Sequence, residues 1–224
     1  MQKQSPQPHE ALTRKQSALI VLAALMVTTY LTANLMAVKL IEVFSLTLFD
    51  AGTITFPLAY MIGDVITEIY GFKTTKKLVW LTFFCNILLV TATTVGIFLP
   101  YPDFMGDMHN AYATVFTVVP RILGASLIAF VAGELSNAYV MVWLKEKTGG
   151  KHLWVRTIGS SAVGYLLDTV LFVLLAFTFT GASARDLITM IIAQYLMKLA
   201  IESVCGTPLA YAVIGWINKG GAGK

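Results

Sequence analysis

Residues 17–38 read SALIVLAALMVTTYLTANLMAV, an apolar run without one charged side chain. A hydrocarbon core about 30 Å thick is crossed by roughly 20 apolar residues wound as a helix, so this run is long enough to span a membrane. Before it, residues 1–16 are polar and carry Lys3, Arg14 and Lys15. After it comes more membrane-like sequence, not a small-residue cleavage site and a soluble domain, so the run reads as an uncleaved first span. Working outward, five further segments have the same character: 55–70, 78–99, 113–144, 157–180 and 187–217. The expected fold class is an all-α polytopic membrane protein with six transmembrane helices over 17–217, between polar tails at 1–16 and 218–224. The second segment is short, about 24 Å at 1.5 Å per residue, and opens at Pro57. The fourth and sixth exceed a single crossing, so they tilt, kink or project. Pro208, after Gly206 and Thr207, is the expected break in the sixth.

Composition agrees. With 57% of its 224 residues hydrophobic and 12% charged, the chain has too little polar surface to coat a soluble fold. No separate soluble domain fits, so the work falls to the bundle. Cys85 and Cys205 lie in apolar runs and are expected to be free, buried thiols.

Lysine and arginine give the orientation. An N-terminus inside puts Lys3, Arg14 and Lys15, then Lys73, Lys76 and Lys77, then Lys145, Lys147, Lys151 and Arg156, and finally Lys219 and Lys224 on the cytoplasmic side. Only Lys39 and Arg185 then lie outside, a strong positive-inside asymmetry. Trp80, Trp143, Trp154 and Trp216 all fall near the expected cytoplasmic ends, as an interfacial belt would place them. Both termini are therefore expected inside. The net charge of +4 is a topology signal, and no nucleic-acid partner is expected. Between the first two spans, Val43–Leu48 and Thr53–Phe56 flank Asp50-Ala51-Gly52, which suggests a small β-hairpin on the outer face, with an irregular loop as the alternative.

Two bases, Arg121 and Lys198, and five of the 12 acids, Asp64, Glu68, Glu134, Asp168 and Glu202, fall inside spans. Each costs about 2.5–3.5 kcal/mol at a helix centre, so they must face one another or a wet cavity. Asp64, Asp168 and Lys198 fall near the midplane, Arg121 toward the outer half, and Glu68, Glu134 and Glu202 in the inner half. Asp64 shares a helix face with Tyr60 and Glu68, and Glu134 lies three residues from Asn137. Lys198 and Glu202, four apart, are the expected structural ion pair. Two bases neutralise at most two acids, so three carboxylates are left protonated, hydrated or paired with something other than protein. A polar centre reached by short or interrupted helices is what a secondary carrier needs. Gly124, Ala125, Ser126, Ala129 and Gly133 on the fourth span, with Gly159, Ser160 and Gly164 on the fifth, allow close helix approach.

Several of these residues also form an ordered set. It starts with Phe56-Pro57-Leu58-Ala59-Tyr60, Asp64 and Glu68-Ile69-Tyr70-Gly71. Arg121, Ala125-Ser126, Gly133-Glu134 and Asn137 continue it, followed by Arg156, Ser160, Gly164 and Asp168, then Lys198, Thr207-Pro208 and Tyr211. The set resembles the queuosine-precursor transporters, formerly called vitamin uptake transporters, over nearly the whole chain. The resemblance implies a six-helix bacterial inner-membrane importer of 7-deazaguanine bases: 7-cyano-7-deazaguanine, its aminomethyl relative, or queuine. Such a base offers a ring N–H and an exocyclic amine that a carboxylate can accept together. Its carbonyl needs a donor, and its flat ring needs walls that 13 Phe and nine Tyr can supply. On this reading Asp64, Glu68 or Glu134 meets the guanine-like edge while Asn137 and Lys198 donate to the carbonyl. Asp168 takes ligand or proton, Arg121 shapes the outer entrance or neutralises an acid, and Tyr60 lines the site.

Other classes fit less well. An intramembrane metalloprotease or serine-type enzyme needs histidine in the bundle, and His9, His109 and His152 fall in tails or loops. No metal or cofactor is expected. A channel would fit the acidic centre, but no repeated pore loop is visible. The alternative kept open is a substrate-binding subunit served by a separate ATP-driven module, since the chain has no nucleotide-binding motif of its own.

Overall fold

The computed structural model describes residues 12–43, 46–178 and 181–219. Lys3, Lys224, Phe44, Ser45 and the last two residues of the expected fifth span lie outside them. Helix α1 (Arg14–Met36) starts at Thr13, whose hydroxyl accepts from the Gln16 N–H while Gln16 reaches back, a reciprocal cap. Strands β1 (Leu40–Val43) and β2 (Leu46–Asp50) pair antiparallel, and a single 3₁₀ turn (Ala51–Ile54) leads into α2 (Phe56–Tyr70). Then come α3 (Phe72–Phe98), α4 (Gly106–Lys147), α5 (Leu153–Phe177), α6 (Ala184–Ile201), a π-helical turn (Glu202–Gly206) and α7 (Thr207–Lys219).

A hairpin is present, but its register differs from the expected one. Val43 pairs with Leu46, so both strands draw on the expected first strand, and Asp50 caps a helical turn where the second strand was expected. The reason is local: the Asp50 carboxylate accepts from the Thr53 N–H at 3.1 Å, which winds the backbone instead of extending it.

Among the described residues, α6, the π turn and α7 run as one rod, so the bundle has six rods, and five of them are long and apolar enough to cross a membrane. The exception is α2. Its 15 residues reach only about 22 Å, and every residue from Phe56 to Thr67 except Leu58 is buried. It is the central rod, wrapped by its neighbours. Gly71, at φ 80°, turns the chain straight into α3, a conformation only glycine adopts freely. Helix α3 is inside out by soluble standards: Thr75, Val79, Thr82 and Asn86 face the bundle, while Phe84 and Leu88 are exposed. That pattern suits lipid, not water.

Helix α4 has 42 residues, about 63 Å, so it projects well beyond one crossing. At Pro208 the rod does not break. The strain is taken up one turn earlier, where the Thr207 N–H bonds the Glu202 carbonyl and opens a wider turn. Both cysteines are free, but neither is buried as expected: Cys85 is partly exposed and Cys205 is exposed.

The expected glycine contacts hold at Gly133, Gly159 and Gly164. A Cβ on Gly133 would lie 2.7 Å from the Asp168 Cβ and 2.9 Å from the Gly164 carbonyl oxygen, and would meet the Tyr60 hydroxyl. Gly124 meets nothing within 4 Å. Gly133→Ala should therefore lower stability by about 1–3 kcal/mol through overpacking, whereas Gly124→Ala should not. Thermal unfolding of the two variants in detergent tests this.

Candidate functional site

Two polar layers lie inside the bundle. The first is under the hairpin. Lys198, on α6, donates to Asp168 Oδ2 on α5 at 2.7 Å and to Thr169 Oγ1 at 3.3 Å, with its ammonium 4.8 Å from the Phe56 ring. Lys198 and Asp168 are both almost wholly buried. They line a small cavity of about 10 Å³, the room of one water molecule. Phe56 and Phe172 wall it, and Asn34, Asp50, Thr53 and Ser126 supply its other polar groups. Asn34 is fixed from both ends, donating to Asn86 Oδ1 at 2.7 Å and accepting from Ser126 Oγ at 2.6 Å. Tyr30 in turn holds the Ser126 carbonyl at 2.9 Å. Burial pushes the Asp50 carboxyl above its ordinary value, and the positive charge of Lys198 pulls it partly back. One turn before Lys198, Gln194 is wholly buried with neither polar atom partnered.

Lys198 therefore pairs with Asp168, not with Glu202 as its helical spacing suggested. Glu202 turns away at the start of the π turn and accepts from the Tyr165 hydroxyl at 3.1 Å.

The second layer is acidic. Asp64, on α2, accepts from Asn137 Nδ2 of α4 at 2.8 Å and has its other oxygen free. Glu134 lies over Gly63, where a Cβ would collide with its carboxylate, and neither of its oxygens has a partner. Asp64, Glu134 and Glu202 are wholly buried and within electrostatic reach of one another. Among the described residues none of the three has an ion-pair partner. The rings of Tyr60 and Tyr165 pack 4.4 Å apart beside them, and the Tyr60 hydroxyl is also unpartnered.

Glu68 stands apart from both layers. It takes Lys145 and Arg156 at 3.0 Å each, at the end of the bundle away from the hairpin. Arg156 is buried, although the sequence assigned it to a loop: the connection between α4 and α5 is only 148–152, so Arg156 already faces inward in the first turn of α5. Arg121 is exposed and makes no ion pair among the described residues. The eight residues singled out in the sequence thus separate. Lys198 and Asp168 meet in one layer, Tyr60, Asp64, Glu134 and Asn137 in the next, and Glu68 and Arg121 belong to neither.

The sequence model of a family described as "Putative vitamin uptake transporter" matches residues 50–213. The chain belongs to this family. It is similar to the "Probable queuosine precursor transporter" of Bacillus subtilis (strain 168), with 34% identity over 182 residues, covering 80% of this chain and 77% of that one. The protein of the same name in Haemophilus influenzae (strain ATCC 51907 / DSM 11121 / KW20 / Rd) is 27% identical over 165 residues, 73% of this chain and 67% of its own. No solved structure matches. This vitamin uptake transporter family is one of multi-pass membrane transporters, not enzymes.

The family match contains every member of both layers except Tyr30 and Asn34, which precede it. Sequence reasoning missed Asn34, Asp50, Thr53, Phe56 and Phe172 as cavity walls. Asn34 and Asn86 were detectable by the argument used for charges, because an amide inside an apolar span also demands a partner. The aromatic walls carried no such signal, since nothing distinguishes a lining phenylalanine from a packed one before the helices are assembled.

Proposed function

We propose that this member of the vitamin uptake transporter family imports 7-deazaguanine bases, the queuosine precursors for which its relatives are named, and holds the base at Asp168 and Lys198. The observation that carries the reading is the buried carboxylate–ammonium pair in a cavity walled by Phe56 and Phe172. A 7-deazaguanine edge presents an exocyclic amine, a ring N–H and a carbonyl in a row. Asp168 accepts from the first two as a bidentate acceptor, and Lys198 donates to the third. The aromatic rings take the faces of the heterocycle, while Asn34, Ser126 and Asp50 surround its 7-substituent. At about 10 Å³ the cavity is too small for a base. Entry requires the hairpin and the 3₁₀ turn to move aside, as in alternating access around a central site.

The hairpin end is taken as extracytoplasmic and both termini as cytoplasmic in the bacterial inner membrane. Supporting this, Arg14 stacks on Trp216, Tyr70 bonds the Lys15 carbonyl, and Lys145 and Arg156 meet Glu68, all at the opposite end.

Uptake of labelled 7-cyano-7-deazaguanine by the purified chain in liposomes tests the reading. The aminomethyl base and queuine should compete, and 7-deazaadenine, whose edge has the reverse donor–acceptor order, should not. Equal competition by 7-deazaadenine would sink the assignment. Uptake without added ATP or partner excludes a requirement for an ATP-driven module.

A further inference from the structure

The cavity at Asp168 and Lys198 is lined by neither Asp64 nor Glu134, so the second layer, whose acids the sequence reading set against the guanine-like edge, has no part in that base site, and its chemistry differs. Glu134 is wholly buried with two unpartnered oxygens, and Asp64 and Glu202 each keep one. Independently of the acids, the Tyr60 hydroxyl is buried and unpartnered among them, and the Asn137 carbonyl oxygen is too. The groups facing Glu134 come from several elements. Helix α2 brings Asp64 and Tyr60, with Glu68 one turn further on. Helix α5 brings Asp168 and Tyr165, and the π turn brings Glu202. The nearby cations are already engaged, Lys198 by Asp168 and Arg156 and Lys145 by Glu68. The buried residues of α1 and α3 carry no charge.

Three carboxylates buried together with no ion-pair partner among the described residues cannot all be ionised, because each bare charge costs several kcal/mol to desolvate. A neutral acid has a proton to donate, and the free oxygens of Asp64, Glu134, Glu202 and Asn137 are acceptors for it. Such a group gains and loses protons when water reaches it from one side or the other.

We propose that Asp64, Glu134 and Glu202 form a proton-carrying site that couples entry of the base to entry of protons. This rests on the base reading above. The layers share a joint: Gly133 lies directly under both the Tyr60 hydroxyl and Asp168, so a shift of α4 against α2 and α5 is felt in both. Lys198 and Glu202, four residues apart on one rod, also tie them. In one cycle the site takes up protons from the outer side, the layer closes while neutral, and the protons leave to the inner side after the base.

The test uses the full chain in liposomes with labelled 7-cyano-7-deazaguanine, measuring two things. Counterflow exchange with no gradient reports base binding and movement alone. Accumulation under an imposed pH gradient, acid outside, reports coupling, together with acidification seen by a trapped pH-sensitive dye when base is added. The wild type should exchange base and should accumulate it at least tenfold more with the gradient than without. Glu134→Gln, which mimics the protonated acid in shape and charge, should keep exchange and lose the gradient-driven part and the dye signal. Asp64→Asn should do the same. Exchange intact with accumulation indifferent to the pH gradient and no acidification would overturn the proton site while leaving the base reading standing. Absence of exchange in the wild type would overturn both.

Discussion

Replacing Asp168 with asparagine should cut uptake of 7-cyano-7-deazaguanine by about 10- to 100-fold. Two charge-assisted hydrogen bonds to the base edge become at best one neutral bond, a loss of about 1.5–3 kcal/mol, and each 1.4 kcal/mol is tenfold in affinity. The single change also strands Lys198, which is nearly as buried as its partner. An uncompensated buried charge costs about 3–5 kcal/mol, so loss of uptake could reflect loss of fold. Combining Asp168→Asn with Lys198→Met separates the two causes. The double variant has no stranded charge and should recover the thermal midpoint in detergent, yet it should stay inactive because neither the acceptor pair nor the donor remains. Recovery of uptake in the double variant would show that the pair only holds the helices together.

The second large effect concerns stability. Glu68→Gln should destabilise the protein by about 3–5 kcal/mol, because Arg156 is 2% exposed and Glu68 is its ion-pair partner at 3.0 Å. Lys145 contacts the same carboxylate, but its side chain is 41% exposed, so Lys145→Ala should cost about 1 kcal/mol or less. Melting temperatures of the two variants in detergent should therefore differ widely, and Glu68→Gln with Arg156→Met should recover much of the loss. Equal small shifts would mean that Arg156 finds other partners, such as the Lys151 carbonyl it already reaches at 3.3 Å.

The membrane fold was legible because a bilayer tests each residue type almost independently of its neighbours. The run 17–38 and its counterparts could be read one segment at a time, and five of the six rods have the required length and hydropathy. Helix α2 was legible as a short segment but not as the central one: its burial on every side comes from five neighbouring rods that no local pattern records. The hairpin was legible as turn-forming sequence, while its register was decided by the bond from the Thr53 N–H to Asp50.

The candidate site was legible as an inventory. Charge counting inside the spans left three carboxylates without a base, and among the described residues three span acids are without one, Asp64, Glu134 and Glu202. The route to that number differed, because Arg156 replaced Arg121 as a buried base and Lys198 chose Asp168 over Glu202. By itself the sequence determined that this chain lives in a membrane, that it buries more acids than bases, and that it resembles a family of transporters. Only the tertiary structure decided which acids are paired, which are free, and which aromatic rings wall a cavity. Hydropathy and charge balance are sums over residues, whereas an ion pair or a cavity wall depends on a few ångströms between helices far apart in sequence. The wide turn at Glu202 and the glycine contact at Gly133 are what set those ångströms here.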